Sequence, residues 1–201
     1  MRAFTDPHVF SMYPARNMPQ RAILVLNKSG KFQLHAQDFA TGFTRQITKK
    51  SQGALFGSIS PGGEYVFFLN DQDGAEHGHF VRAPFTGGKS VDITPTLPPY
   101  YSYGVSISDS GNLLCFSASI NKENRVYLVS FDEAGRPKQP RLIYKTKQSI
   151  QGVIMSPDGK HTCLSLVATG TKPTSKICLI ENKTGRVVAT IFDGGNPINL
   201  E

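Results

Sequence analysis

The chain has no tryptophan and only three cysteines in 201 residues. Without tryptophan, the repeat class written on Gly-His followed by Trp-Asp is excluded. Three cysteines cannot all pair with one another, and no two stand in a Cys-x-x-Cys spacing. Neither a disulfide scaffold nor a zinc knuckle organises such a chain. Long apolar runs are missing as well. The longest, such as Ala22 to Leu26, hold about five residues, against the ~20 that a membrane-spanning helix needs. No segment sustains a helical apolar period. Met1 to Pro14 lacks the basic stretch followed by an apolar stretch that marks a secretory leader. A reducing, cytoplasmic setting is the expectation.

Charge is sparse, at 18% of residues, and apolar residues reach 39%, which excludes a disordered chain. Lysine and arginine number 22 against 15 acids, a net charge of +7. That permits an acidic partner without demanding one. The densest basic stretch is Arg136, Lys138, Arg141, Lys145 and Lys147, beside Asp132 and Glu133. It reads as a solvated hairpin. A single ring, Tyr144, stands within it and no recognition helix accompanies it, so no nucleic-acid partner is expected, and no membrane partner either.

Glycine and proline, by contrast, are plentiful, at 19 and 13. They fall in a repeat. Gly57-Ser58-Ile59-Ser60-Pro61-Gly62-Gly63, Val105-Ser106-Ile107-Ser108-Asp109-Ser110-Gly111 and Val153-Ile154-Met155-Ser156-Pro157-Asp158-Gly159 align without gaps. Their anchor serines, Ser60, Ser108 and Ser156, are 48 residues apart each time. A weaker copy, Val9-Phe10-Ser11-Met12-Tyr13-Pro14, is aligned on Phe56 to Pro61. Each turn leads into a short apolar strand: Ala22 to Asn27, Tyr65 to Asn70, Leu113 to Ser117, Thr162 to Val167. A polar loop follows, then a third strand (Phe32 to Gln37, His79 to Ala83, Arg125 to Phe131, Lys176 to Glu181). A glycine turn and a fourth strand close each unit (Thr44 to Thr48, Ser90 to Thr94, Arg141 to Tyr144, Val187 to Ile191). The expected fold is therefore all-β: a β-propeller with four blades of four antiparallel strands, at approximately 9–48, 54–94, 102–145 and 150–192. Runs apolar on both faces, such as Tyr65-Val66-Phe67-Phe68-Leu69, suit a blade packed between neighbours. Cys115 and Cys163 each lie seven residues after an anchor serine, where Phe67 holds the third equivalent place. All three cysteines read as small core residues.

On these residues the sequence resembles a known group. Ser-Pro-Gly-Gly and Ser-Pro-Asp-Gly turns ahead of an apolar strand are similar to the repeat of TolB-type propellers and of the prolyl oligopeptidase family. The phrase Phe85-Thr86-Gly87-Gly88-Lys89-Ser90-Val91-Asp92-Ile93-Thr94-Pro95 resembles a hairpin of the latter. The tryptophan usual before Ser-Pro-Asp-Gly is absent throughout. The resemblance implies a non-catalytic propeller that gates access to a C-terminal α/β-hydrolase domain with a Ser-Asp-His triad, peptide being the substrate. That domain would lie beyond Glu201. Residues 193–201 read as a lead-in to a further blade, so the four blades are expected to belong to a larger propeller, a complete four-bladed propeller being the other structural option. The alternative is a TolB-like propeller that binds protein or peptide.

No catalytic, cofactor or metal residues are expected within the chain. Gly104-Val105-Ser106-Ile107-Ser108 lacks the last glycine of Gly-x-Ser-x-Gly and the helix that should follow. Gly88-Lys89-Ser90 matches the tail of a phosphate loop, but Ala83 stands where its first glycine belongs. Asp71, Asp73 and Glu76 begin like a calcium loop, yet Ala75 and Arg82 occupy two ligand positions. His77 and His79 share a strand face but have no third ligand at a fixed spacing, and His8, His35 and His161 are isolated. Two readings stay open for Leu97-Pro98-Pro99-Tyr100-Tyr101-Ser102-Tyr103. Tyr100, Tyr101 and Tyr103 form a partner surface, or their rings fill a blade interface. Glu76 and His79 complete the candidate interdomain surface.

Overall fold

Each anchor serine closes its turn with the same set of bonds. The amides of Ser60, Ser108 and Ser156 donate to the carbonyls of Tyr65, Leu113 and His161, at 2.8, 3.0 and 2.8 Å. Gly63, Gly111 and Gly159 return their amides to the three serine carbonyls at 2.9 Å each. These glycines sit at φ of 76°, 71° and 72°, which a side chain would disfavour. The serine hydroxyls accept amides at the start of the next strand: Tyr65 at 3.0 Å, Leu113 at 3.3 Å, His161 at 3.0 Å. The 48-residue repeat is thus a repeated hydrogen-bonding device.

The computed structural model describes residues 8–71, 74–168, 174–193 and 199–200. Among them every regular element is a strand. Blade 1 is β1 (Val9–Ala15), β2 (Met18–Leu26), β3 (Gln33–Asp38) and β4 (Thr44–Gln46). Blade 2 is β5 (Ser58–Ile59), β6 (Tyr65–Asp71), β7 (Gly78–Pro84) and β8 (Val91–Asp92). Blade 3 is β9 (Val105–Ile107), β10 (Leu113–Ile120), β11 (Glu123–Ser130) and β12 (Arg141–Thr146). Blade 4 is β13 (Ser149–Met155), β14 (His161–Ala168), β15 (Thr174–Glu181) and β16 (Val187–Asp193). All four are antiparallel sheets in sequence order, as expected. A short β17 (Asn199–Leu200) pairs with β16 as a fifth strand. Asp73, the polar loop 169–173, and residues 194–198 and 201 of the lead-in lie outside the described residues.

The strand pairing confirms the register of the three serine copies. Phe67, Cys115 and Cys163 pair with Ser58, Ser106 and Ile154, each two residues before its anchor serine. The weak copy is corrected. Tyr13, not Ser11, holds the place of Ser58, since Tyr13 pairs with Ile23 as Ser58 pairs with Phe67. Blade 1 has no serine turn. It reverses tightly, with Ala15 opposite Met18.

The chain divides into two compact units, Met1–Ile93 and Thr94–Glu201. In the first, Ile23, Val25, Leu34 and Ala36 of blade 1 bury against Val66, Phe68, Val81 and Ala83 of blade 2. In the second, Cys115, Val126, Leu128 and Ile143 of blade 3 meet Ile150, Val153, Leu164 and Leu166 of blade 4. Each pair of blades therefore shares one core. Full burial of a residue such as Leu164 or Ile23 is worth roughly 1.5–3 kcal/mol. Polar bonds repeat across both junctions. The amide of Asn17 donates to the carbonyl of Pro61, and that of Asp109 to Pro157, at 2.8 Å in each case.

An arginine repeats too. Arg45 pairs with Ala36, and Arg141 with Leu128. These are equivalent register positions, three residues before the Phe39 and Phe131 amides that return to Gln20 and Asn112. Arg45 reaches into the next blade to donate to the Pro84 and Phe85 carbonyls, at 3.0 and 3.4 Å. Arg141 donates likewise to the Asn182 carbonyl and, at 3.4 Å, to that of Lys183.

The cysteines occupy unequal sites. Cys115 and Cys178 are buried, while Cys163 is partly exposed. Burial pushes the Cys115 thiol up to about 12 and also raises Cys178 and Cys163. Since the thiolate is the reactive form, maleimide is expected to label Cys163 first and Cys115 only after denaturation. Peptide mass mapping of a time course checks this. Native-state labelling of Cys115 as fast as Cys163 would contradict the packing.

Candidate functional site

The residues singled out from the sequence do not gather in one place. Tyr100 is fully buried, its hydroxyl 2.9 Å from Thr94 Oγ1 and its ring stacked on Phe116 at 5.4 Å. Tyr101 and Tyr103 are exposed, at 44% and 57%. The segment thus divides between the two readings: one ring packs and two face solvent. Glu76 is exposed at φ 53° and donates its amide to Asp71. His79 Nδ1 lies 2.7 Å from Asp92 Oδ2 across the β7–β8 pair.

The remaining sequence candidates are occupied structurally. The Ser106 hydroxyl accepts the amide of Met155 from the neighbouring blade at 2.9 Å. Gly87 and Gly88 take φ of 131° and 122° in the turn between β7 and β8. Asp71 pairs with Lys50 at 2.8 Å. Burial works to raise the Asp71 pKa, but the Lys50 hydrogen bond and charge outweigh it and hold the carboxyl below its ordinary value. His35 is buried with Nδ1 3.1 Å from the Gln33 carbonyl, and burial lowers its pKa.

The concave feature with convergent polar groups lies elsewhere, between blades 3 and 4. It is a groove of about 710 Å³, within the range of ligand-binding clefts. Leu113 and Leu128 supply apolar floor. Lys138, Arg141, Lys160 and Lys183 supply cationic groups, and His161 also lines it. The turns of the two blades bring these residues together. Lys160 and His161 come from the end of the serine turn, and Lys138 and Lys183 from the third-to-fourth-strand connections.

One wall is rigidly built. Asn182 is 3% exposed, and both ends of its side-chain amide are hydrogen-bonded. Its Oδ1 accepts the Thr162 hydroxyl at 2.6 Å, and its Nδ2 donates to the Gly159 carbonyl at 2.9 Å. Its amide donates to the Lys160 carbonyl at 2.7 Å. The Arg141 guanidinium is tied to the Asn182 and Lys183 carbonyls. Carbonyls satisfy its donors without cancelling its charge.

Two carboxylates temper the cations. Glu181 lines the groove and accepts the Thr184 hydroxyl at 2.6 Å. Asp158 lies 3.4 Å from Lys160, both well exposed. The Lys160 amide and the Ser156 hydroxyl bond to Asp158 and hold it at about 2, so it stays ionised. Among the described residues, Lys138 and Lys183 have no carboxylate within ion-pair distance. The sequence marked Lys138 and Arg141 as part of a basic stretch but gave no sign of the groove. Its other members include two short runs of blade 4, 159–161 and 181–183, and strand residues of blade 3, far apart in sequence, and only the packing of blade on blade assembles them.

No family model matches the sequence, and no curated protein matches it. Solved structures do resemble it. TolB from Acinetobacter baumannii matches over 90% of this chain and 42% of its own, with a TM-score of 0.60 and 20% identity. The tricorn protease matches over 92% of this chain and 22% of its own, with a TM-score of 0.69 and 12% identity. A chain of the nidogen–laminin complex matches over 90% and 79%, with a TM-score of 0.54 and 8% identity. The chain thus spans less than half of TolB and under a quarter of the tricorn protease. Identities this low carry the fold alone, and that fold is a β-propeller, similar to that of TolB.

Proposed function

We propose that this chain is a non-catalytic propeller module that binds a polypeptide in the groove between blades 3 and 4. The observation that carries this is the groove itself: an apolar floor, free ammonium groups and a wall fixed by Asn182 and Arg141. A preformed wall costs little ordering on binding. The test is a random-peptide display selection on the full chain, followed by Ser130→Trp. Ser130 closes β11 and lines the groove, where an indole would occupy ligand space. Enriched peptides are expected to bind the variant about tenfold or more weakly, with its melting temperature near wild type. Peptides indifferent to the substitution, or no enrichment at all, would defeat the proposal.

A second reading makes the blades a wall over a hydrolase active site. Support comes from the Ser-Pro-Gly-Gly and Ser-Pro-Asp-Gly turns, similar to those of the prolyl oligopeptidase family, and from the fold likeness to the tricorn protease. The catalytic partner would then be an α/β-hydrolase domain encoded after Glu201, and the bound polypeptide its substrate. Reading the natural frame for Gly-x-Ser-x-Gly, then Asp and His, decides it.

A further inference from the structure

We infer that the groove between blades 3 and 4 takes an extended acidic segment, with an apolar side chain set between carboxylates. This rests on the polypeptide-binding reading and adds the chemical class of the ligand. Lys138, Arg141, Lys160 and Lys183 bring four positive charges to the site, against Glu181 in the lining and Asp158 beside Lys160. The balance is positive, and its two unpaired members, Lys138 and Lys183, are the ones free to engage a ligand. They come from different blades, one from the β11–β12 connection and one from the β15–β16 turn. Charges so divided suit carboxylates spaced along a chain. Leu113 and Leu128 in the same lining offer contact to an apolar side chain.

Other anions fit less well. A single phosphate is best held by an arginine fork or converging backbone amides. Here the arginine, Arg141, is already committed to the Asn182 and Lys183 carbonyls. Single-stranded nucleic acid needs successive aromatic platforms for its bases, and the groove lining has no phenylalanine, tyrosine or tryptophan, His161 being its one ring. The ammonium groups of the lysines are point charges, which accept carboxylates without strict geometry.

The probe is a fluorescein-labelled peptide alternating glutamate and leucine, titrated by anisotropy against the full chain at low salt. The Lys138→Glu/Lys183→Glu variant is expected to bind about tenfold or more weakly. The control, Lys28→Glu/Lys89→Glu, makes the same change in net charge on exposed residues of blades 1 and 2 and should bind as wild type. A peptide with glutamine for glutamate should also bind about tenfold or more weakly. Equal losses in the two lysine pairs would overturn the inference, because attraction would then follow overall charge. A glutamine peptide bound as tightly as the glutamate one, or an RNA oligonucleotide bound more tightly, would overturn it too. Should selected peptides respond to Ser130→Trp while lysine reversal leaves the glutamate peptide unaffected, only the ligand class fails and the binding module stands.

Discussion

Phe116→Ala is expected to destabilise the second unit by about 3–5 kcal/mol. Phe116 is fully buried in β10, its ring between two tyrosines. Tyr100 stacks on it at 5.4 Å with 28° between planes, and Tyr127 at 5.6 Å with 20°. Truncation removes the transfer energy of the ring and leaves a void between two large, well-anchored neighbours. Tyr100 cannot readily relax into that void, because its hydroxyl is tied to Thr94. Close packing makes such unrelaxed cavities the costliest kind. Tyr100→Phe removes that bond and should cost about 0.5–1.5 kcal/mol. Tyr101→Ala and Tyr103→Ala remove exposed rings and should stay within ~0.5 kcal/mol of wild type. Urea denaturation of the four variants, followed by circular dichroism, gives the ranking. A loss for Tyr103→Ala as large as that for Phe116→Ala would refute this division of the tyrosine segment into one packing ring and two surface rings.

The architecture was legible because one turn recurs. Ser60, Ser108 and Ser156 each satisfy several backbone groups, so serine and the glycine three residues later repeat at a readable spacing. Blade 1 shows the limit. Its reversal at Ala15 to Met18 uses no serine, and apolar residues alone did not prevent a two-residue slip in the alignment. A slip of two keeps each side chain on the same face, so the alternation of the strand cannot reveal it.

Contacts between blades were legible only where they are apolar. Runs such as Tyr65 to Leu69 announced burial on both faces, and Val66, Phe67 and Phe68 are all buried. The arginine bonds were invisible. Arg45 and Arg141 donate to backbone carbonyls, and a carbonyl acceptor leaves no residue signature in the next blade. The groove was hidden for the same reason. Lys183 and Lys160 are ordinary turn lysines until Arg141 and Asn182 bring the two blades together beside them.

Asn182→Leu is expected to cost about 2–4 kcal/mol, a size typical of breaking a buried polar network. Leucine has the same branching and number of heavy side-chain atoms and is no smaller, so the cost is not a cavity. It arises because the Thr162 hydroxyl loses its 2.6 Å acceptor and the Gly159 carbonyl loses its 2.9 Å donor. Thr162 is fully buried, and Gly159 is buried at the foot of the groove. Removing both partners of a buried bond is cheaper than removing one. Thr162→Val added to Asn182→Leu should therefore recover part of the loss, leaving the double variant about 0.5–1.5 kcal/mol more stable than the sum of the singles. The Gly159 carbonyl remains unsatisfied in both, so recovery stays incomplete. The Asn182 amide still bonds to Lys160, so the turn persists and the groove keeps its cations. Peptide affinity at the groove should then fall less than stability does. Strict additivity in the urea-derived cycle would show that Thr162 and Asn182 act independently, and the wall of the groove would need another account.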